Sequence, residues 1–242
     1  MSIRALVITL VVTVVAGLVY FVQSPFAGSA AVFLDAAATT LKILVASAVL
    51  STLIAFAAGL GRLSPVGPVR WLSTAYIEIF RGTSALVQLF WLFYVLPLFG
   101  PRIDPFTTGV LAVSLNLGSY AAIVVEASVR AVPRSQVEAS IALNMSAFRR
   151  MQRVILPQAL RIMIPPFGNL AIQLFKLTAI VSFIGISDLT YTAYQLNQTT
   201  YRTVEVFTIV LLMYFAIGLS ITILMRLLER RFSRGTTKAR LA

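Results

Sequence analysis

The chain has 242 residues and contains neither cysteine nor histidine. Disulfides, thiolate nucleophiles and imidazole bases are therefore excluded, along with most zinc sites. Acidic residues are scarce, 8 against 20 lysines and arginines, which leaves a net charge of +12. Charged residues of both signs make up only 12%, too few to clothe a soluble globule. No Gly-x-x-x-x-Gly-Lys-Ser/Thr phosphate loop occurs, so the chain is not expected to bind ATP itself. Without histidine, and with acids mostly at the ends of apolar segments, a proton relay has few parts. That weighs against an ion-gradient-driven secondary transporter, the alternative reading, and against an intramembrane enzyme.

What is present is apolar sequence in long blocks: 59% hydrophobic residues and a mean hydropathy of +0.91. A membrane-spanning helix needs about 20 apolar residues. Six stretches qualify, near Ala5–Val22, Ala36–Leu60, Trp71–Leu98, Phe106–Val125, Ile164–Ile184 and Val206–Leu228. The first follows Arg4 and precedes small residues that could mark a cleavage site, but it is long for a signal peptide, so a retained anchor is expected. Arg62 and Arg70 follow the second block. Arg130, Arg134, Arg149, Arg150, Arg153 and Arg161 follow the fourth, and Arg226, Arg230, Arg231, Arg234, Lys238 and Arg240 close the chain. The alternate loops hold Arg102 and Arg202, balanced by Asp104, Asp188 and Glu205. This asymmetry predicts cytoplasmic termini and an inner-membrane protein whose arginines face lipid rather than nucleic acid. Lys42 is expected near the outer end of the second span, reaching outward along its own stem.

The segment from Arg130 to Arg161 is too long for a plain hairpin. Ser135 with Glu138 has the spacing of a capping box. Ala139, Ala142 and Leu143 share a helical face, and Asn144 suits the left-handed turn that stops a helix. Ser146 can cap a second short helix through Phe148, Met151 and Val154, which Pro157 is expected to interrupt. A helix–turn–helix lying on lipid and one docking a partner both fit this pattern.

Glu138-Ala139-Ser140, then Asn144, then Val154-Ile155-Leu156-Pro157 resemble the EAA loop of ABC importer permeases, whose pattern is Glu-Ala-Ala, three residues, Gly, nine residues, Ile-x-Leu-Pro. Glu78-Ile79-Phe80-Arg81-Gly82-Thr83-Ser84 through Gln88 resembles the E-x-x-R-G-T-P-x-x-V-Q stretch of polar amino-acid permeases. Leu115-Asn116 with Gly118-Ser119-Tyr120, Pro165-Pro166-Phe167-Gly168-Asn169 and Lys176-Leu177-Thr178 resemble further motifs in the same order. Departures exist. Ile123 and Glu126 stand where the family has an acid and an arginine, and Leu177 where it has an aspartate.

The resemblance implies an all-α polytopic membrane protein with a type I ABC importer transmembrane domain, five core helices plus an extra N-terminal span. Residues 1–34 would be that span and its outer loop, 35–232 the transmembrane domain, and 233–242 a basic cytoplasmic tail. Implied partners are two cytoplasmic ATPase subunits, a second permease subunit, an extracytoplasmic solute-binding protein and a small polar solute. An amino acid and a compatible solute such as ectoine are both candidates. No cofactor is implied. Glu138, Ala139, Ser140, Leu143 and Asn144 would couple to the ATPase. Gln88, Asn116, Tyr120, Gln173, Lys176 and Thr178 are candidates for the translocation pathway, although Gln88, Asn116 and Tyr120 could equally join helices. Lys176 would meet a solute carboxylate or fix helix packing. Glu78 with Arg81, and Glu126 with Arg130, have the spacing of intrahelical pairs.

Overall fold

Uninterrupted apolar runs in a bilayer have one inexpensive backbone solution, because only a helix satisfies its N–H and C=O groups within the segment. In the computed structural model, which describes residues 3–100 and 102–232, that solution recurs along the chain and no strand occurs among the described residues. The long helices are α1 (Ile3–Gln23), α2 (Ala30–Gly61), α5 (Pro105–Arg130), α8 (Leu156–Leu177) and α10 (Thr203–Phe232). Shorter ones are α3 (Gly67–Gly82), α4 (Ala85–Phe90), α6 (Arg134–Ala142), α7 (Ala147–Arg150) and α9 (Leu189–Thr200). Five helices are long and apolar enough to cross a membrane, and α3 with the segment Ala85–Phe99 makes a sixth if counted as one bent span. The all-α, multi-span expectation holds. Pro101 and the tail residues Arg234, Lys238 and Arg240 lie outside the described residues.

The centre of the bundle is the contact between α2 and α5. Gly59 lies so close to α5 that a β-carbon there would sit 2.6 Å from the Ala122 carbonyl and 2.7 Å from Val125 Cβ. Gly118 answers from α5, where a β-carbon would stand 2.9 Å from Ile54. One turn before Gly118 on α5, the Ser114 hydroxyl donates to the Ser47 carbonyl at 3.3 Å. Lipid tails are as apolar as leucine, so helices in a membrane associate through such close packing rather than through hydrophobic expulsion. Around this pair Ile43, Leu89, Val113, Val125, Met163, Leu174 and Val181 form the main buried cluster. A second cluster joins Phe33 of α2, Leu189 and Ala193 of α9, and Val206 and Ile209 of α10. Helix α1 stands outside, packed on α10 where Gly17 meets Leu212, with Leu6 its only buried residue.

Three local expectations are corrected. The third apolar block is not one straight helix, because α3 and the following segment meet at 105°. Pro133, not Ser135, occupies the N-cap position of α6, and no side chain caps it. Proline's fixed φ already suits a helix entry. Pro157 does not interrupt the chain, which runs from α7 through a π-helical turn at Met151–Ile155 into α8. The wider turn loosens the backbone just where proline lacks its N–H, and the Gln158 amide donates to the Val154 carbonyl at 3.0 Å. The second helix of the expected helix–turn–helix is thus the start of the fifth span. Helix α9 was not foreseen.

Replacing Gly59 with valine forces overlap with backbone. The detergent-solubilised protein is expected to lose about 1–3 kcal/mol, read as a lower melting temperature, while the same change at exposed Gly28 leaves it unaltered.

Candidate functional site

Helix α3 ends at Gly82 because Thr83 adopts an extended conformation, and α4 restarts after Ser84. The end of a helix leaves its last carbonyls without partners, and inside a membrane no water is at hand to take them. Here side chains do. Thr83 Oγ1 donates to the Ile79 carbonyl at 2.8 Å. The Phe80 carbonyl accepts from Gln88 Nε2 at 2.9 Å and from Asn116 Nδ2 at 3.0 Å. The Tyr120 hydroxyl donates to the Arg81 carbonyl at 3.2 Å. Three residues singled out as pathway candidates, Gln88 of α4 and Asn116 and Tyr120 of α5, thus converge on one helix break. Gln88 and Asn116 are buried, whereas Tyr120 is half exposed. Beside them Arg81 pairs with Glu78 at 2.7 Å.

The other three candidates divide. Gln173 and Lys176 lie exposed on one face of α8, and Asn169, four residues before Gln173, continues it. The opposite face, Met163, Leu170, Leu174 and Phe175, is buried. Lys176 makes no ion pair among the described residues. Thr178 is fully buried, and its hydroxyl donates to the Phe175 carbonyl of its own chain turn. Beyond Gly185, which takes a left-handed φ of 80°, Asp188 caps α9. Its Oδ1 accepts from the Tyr191 N–H at 2.8 Å, while Oδ2 is buried with no hydrogen-bond partner among the described residues. Burial pushes this carboxyl up to about 6. The Leu189 N–H donates to Thr40 Oγ1 of α2 at 3.2 Å, and Thr190 pairs with the Tyr214 hydroxyl of α10 at 3.0 Å. A polar knot therefore ties α9 to both neighbours.

At the arginine-rich end, α6 and α7 form the loop between α5 and α8. Asn144 stands at φ 56°, a conformation open mainly to glycine and asparagine. Its N–H donates to the Ile141 carbonyl at 2.8 Å, and the Met145 N–H to the Ser140 carbonyl at 3.1 Å. This pair of bonds is the Schellman closure. The Ser146 side chain then caps α7 through the Arg149 N–H at 3.4 Å. Glu138, Ala139, Leu143 and Asn144 are exposed, but Ser140 is buried, its hydroxyl donating to the Val137 carbonyl at 2.6 Å. Ile141, Leu143 and Phe148 are 55%, 77% and 75% exposed, three large apolar side chains on one short loop. Glu138 is the only acid between Ala131 and Arg161 and has neither an ion pair nor a capping role among the described residues.

This geometry accompanies clear relationships. Residues 51–234 match the family described as binding-protein-dependent transport system inner membrane component. A protein of Sinorhizobium fredii named as a probable amino-acid ABC transporter permease, y4tF, is 46% identical over 81% of this chain and 84% of its own. The L-cystine transport system permease protein TcyB of Bacillus subtilis is 36% identical over 82% and 86%. A crystal structure of an amino acid ABC transporter with histidines superposes with a TM-score of 0.80 at 35% identity, covering 85% of this chain and 96% of that one. The chain belongs to this family. It is a multi-pass ABC transporter permease, a non-catalytic membrane component.

Two features of this permease escaped sequence reading. The break at Thr83 was visible only as Gly82 and the Ser84 that follows Thr83, inside a block apolar enough to pass for one span. Asp188 was legible as a helix cap in Asp188-Leu189-Thr190-Tyr191, but its burial depends on α2 and α10, far away in sequence. Substituting Gln88 or Asn116 with leucine leaves carbonyls of the break short of donors, at a cost of about 1–3 kcal/mol each. The expected outcome is a lowered melting temperature for each variant, with the double variant losing more than the sum, since either amide alone still serves the Phe80 carbonyl and only their joint loss leaves it unpaired.

Proposed function

We propose that this permease is the membrane subunit of an ATP-driven importer of a small polar solute, a polar amino acid or a compatible solute such as ectoine. Two copies, or this chain and a homologous one, enclose the pathway. Two ATPase subunits dock on the arginine-rich end, which is cytoplasmic and includes the C-terminus. A solute-binding protein delivers cargo at the other end. The relatives support the class of solute: one is named for amino acids, one for L-cystine, and the matched structure for an amino acid transporter with histidines.

The single observation that carries the ATPase reading is the loop. A helix lying on lipid would turn Ile141, Leu143 and Phe148 into the membrane and has no use for a rigid left-handed stop. A loop whose apolar side chains stand exposed beside a lone carboxylate has the composition of a docking knob, apolar at the centre and polar at its rim. ATP-driven closure of the docked subunits would move α6 and shift the population between inward- and outward-open bundles. In this reading Glu138, Ala139, Leu143 and Asn144 make the contact, and Ser140 holds the helix from within.

Along the pathway, Gln173 and Lys176 present amide and ammonium groups from one face of α8, and Tyr120 the edge of the helix break. Lys176 is the natural partner for a solute carboxylate, because no acid pairs with it among the described residues. Gln88, Asn116 and Thr178 support that wall from behind rather than line it.

Glu138→Ala combined with Asn144→Asp is expected to reduce co-purification of the ATPase by about tenfold or more, with uptake falling in parallel. Full recruitment in this double variant would refute the docking role. Lys176→Met is expected to weaken solute binding by about tenfold with the assembled complex intact, as read by size-exclusion profile and by binding of radiolabelled amino acid. Unchanged binding would reassign Lys176 to helix packing.

A further inference from the structure

Four ion pairs occur among the described residues, and three of them are within single helices or between near neighbours in sequence. The exception joins two long helices. Arg62, immediately past the end of α2, places Nη1 3.2 Å from Oε2 of Glu126 on α5. The other oxygen, Oε1, accepts from Arg130 Nε at 3.0 Å. Each carboxylate oxygen thus has its own guanidinium. The Glu126 side chain is only 14% exposed and that of Arg62 25%, so solvent screens this pair less than an open surface pair.

Its position gives it leverage. Glu126 lies one helical turn before the end of α5, which passes through buried Val132 directly into α6. One turn before Arg62 on α2 is Gly59, in contact with Ala122 and Val125. Gly61 packs with equal closeness against Ser73 of α3. A glycine contact resists compression but not sliding or separation, since nothing in it is directional. A carboxylate held between two guanidiniums is directional and resists both.

We infer that Arg62 and Glu126 clamp α2 to α5 at the root of the loop, so that displacement of α6 is carried by both helices as one body. This rests on the docking role given to α6. Arg62 and Glu126 are positioning residues, acting on transport only through the helices they hold. The residue at 126 is charged oppositely to the arginine of the family pattern it resembles, so the clamp belongs to this chain's own charge arrangement.

The absence of cysteine makes the test direct. Spin labels on Leu53→Cys of α2 and Gln136→Cys of α6, both exposed positions, report the distance between the two helices by pulsed electron resonance. The measurement uses the complete transporter in nanodiscs, with and without ATP and vanadate. With Arg62 and Glu126 intact the distribution is expected to be narrow and the same in both states. Arg62→Gln and Glu126→Gln should each broaden it and make it nucleotide-dependent, and Arg62→Glu with Glu126→Arg should narrow it again. Uptake per ATP hydrolysed, measured with whichever of L-glutamine, L-arginine and L-cystine the parent carries, should fall by about fivefold or more in the single variants. ATPase co-purification should stay at the parental level. Distributions in both single variants that match the parent would overturn the clamp, as would lost ATPase recruitment at an unchanged label distance. If the parent itself fails to retain the ATPase, it is the docking role that has failed, and the label distances still decide the clamp.

Discussion

The close approach of α2 to α5 is the constraint on which the rest of the bundle depends. It is made by small residues, Gly59, Gly118, Ser47 and Ser114, in a medium where apolar side chains gain little by leaving lipid. Because the two backbones nearly touch, the larger aliphatics are displaced to the flanks. There they meet α4 and α8 and complete the main core. A bulkier seam would push α5 outward and take with it the loop that α5 leads into.

The second organising requirement is backbone satisfaction. A span bent by 105° exposes carbonyls that a straight helix would have paired, and the bundle answers with Gln88, Asn116, Tyr120 and Thr83. These polar groups are therefore not scattered decorations of the spans. They are what permits irregular backbone at membrane depth, a feature tolerated only where protein or a water-filled passage surrounds it. The same logic explains the knot of Thr40, Asp188, Thr190 and Tyr214, which seats the start of α9 between α2 and α10. In both places a helix end is stabilised by side chains from other helices, so the irregularities are properties of the assembly as well as of local sequence.

The loop shows how far local reading extends. The left-handed stop at Asn144 and the Ser146 cap were legible because each depends on a few adjacent residues. The capping box at Ser135 failed because Pro133 starts the helix two residues earlier, which leaves Glu138 free for another use. The interruption expected at Pro157 failed for a different reason. A π-helical turn just upstream accommodates the missing N–H, and the sequence Met151-Gln152-Arg153-Val154-Ile155 carries no mark that announces such a turn. Among the residues proposed for coupling, only the burial of Ser140 required the structure, since Val137 and Ser140 alone of the α6 residues are not exposed, and which positions the short helix covers depends on how it packs.

By itself the sequence determined that this is a multi-span helical membrane protein with its arginines gathered at one end, and it located the loop that sets the family apart. Those are consequences of composition, block length and short motifs, which act without knowledge of distant residues. Only the tertiary structure decided which polar side chains face outward and which satisfy the backbone. Gln173 and Lys176 share an open face, whereas Gln88, Asn116 and Thr178 turn inward. It also decided that Glu126 reaches across to Arg62 as well as along its helix to Arg130. Residues 64 positions apart have no local signal of meeting. Their contact exists because two helices pack closely enough, through Gly59 one turn away, for the Glu126 carboxylate to reach Arg62 across the seam.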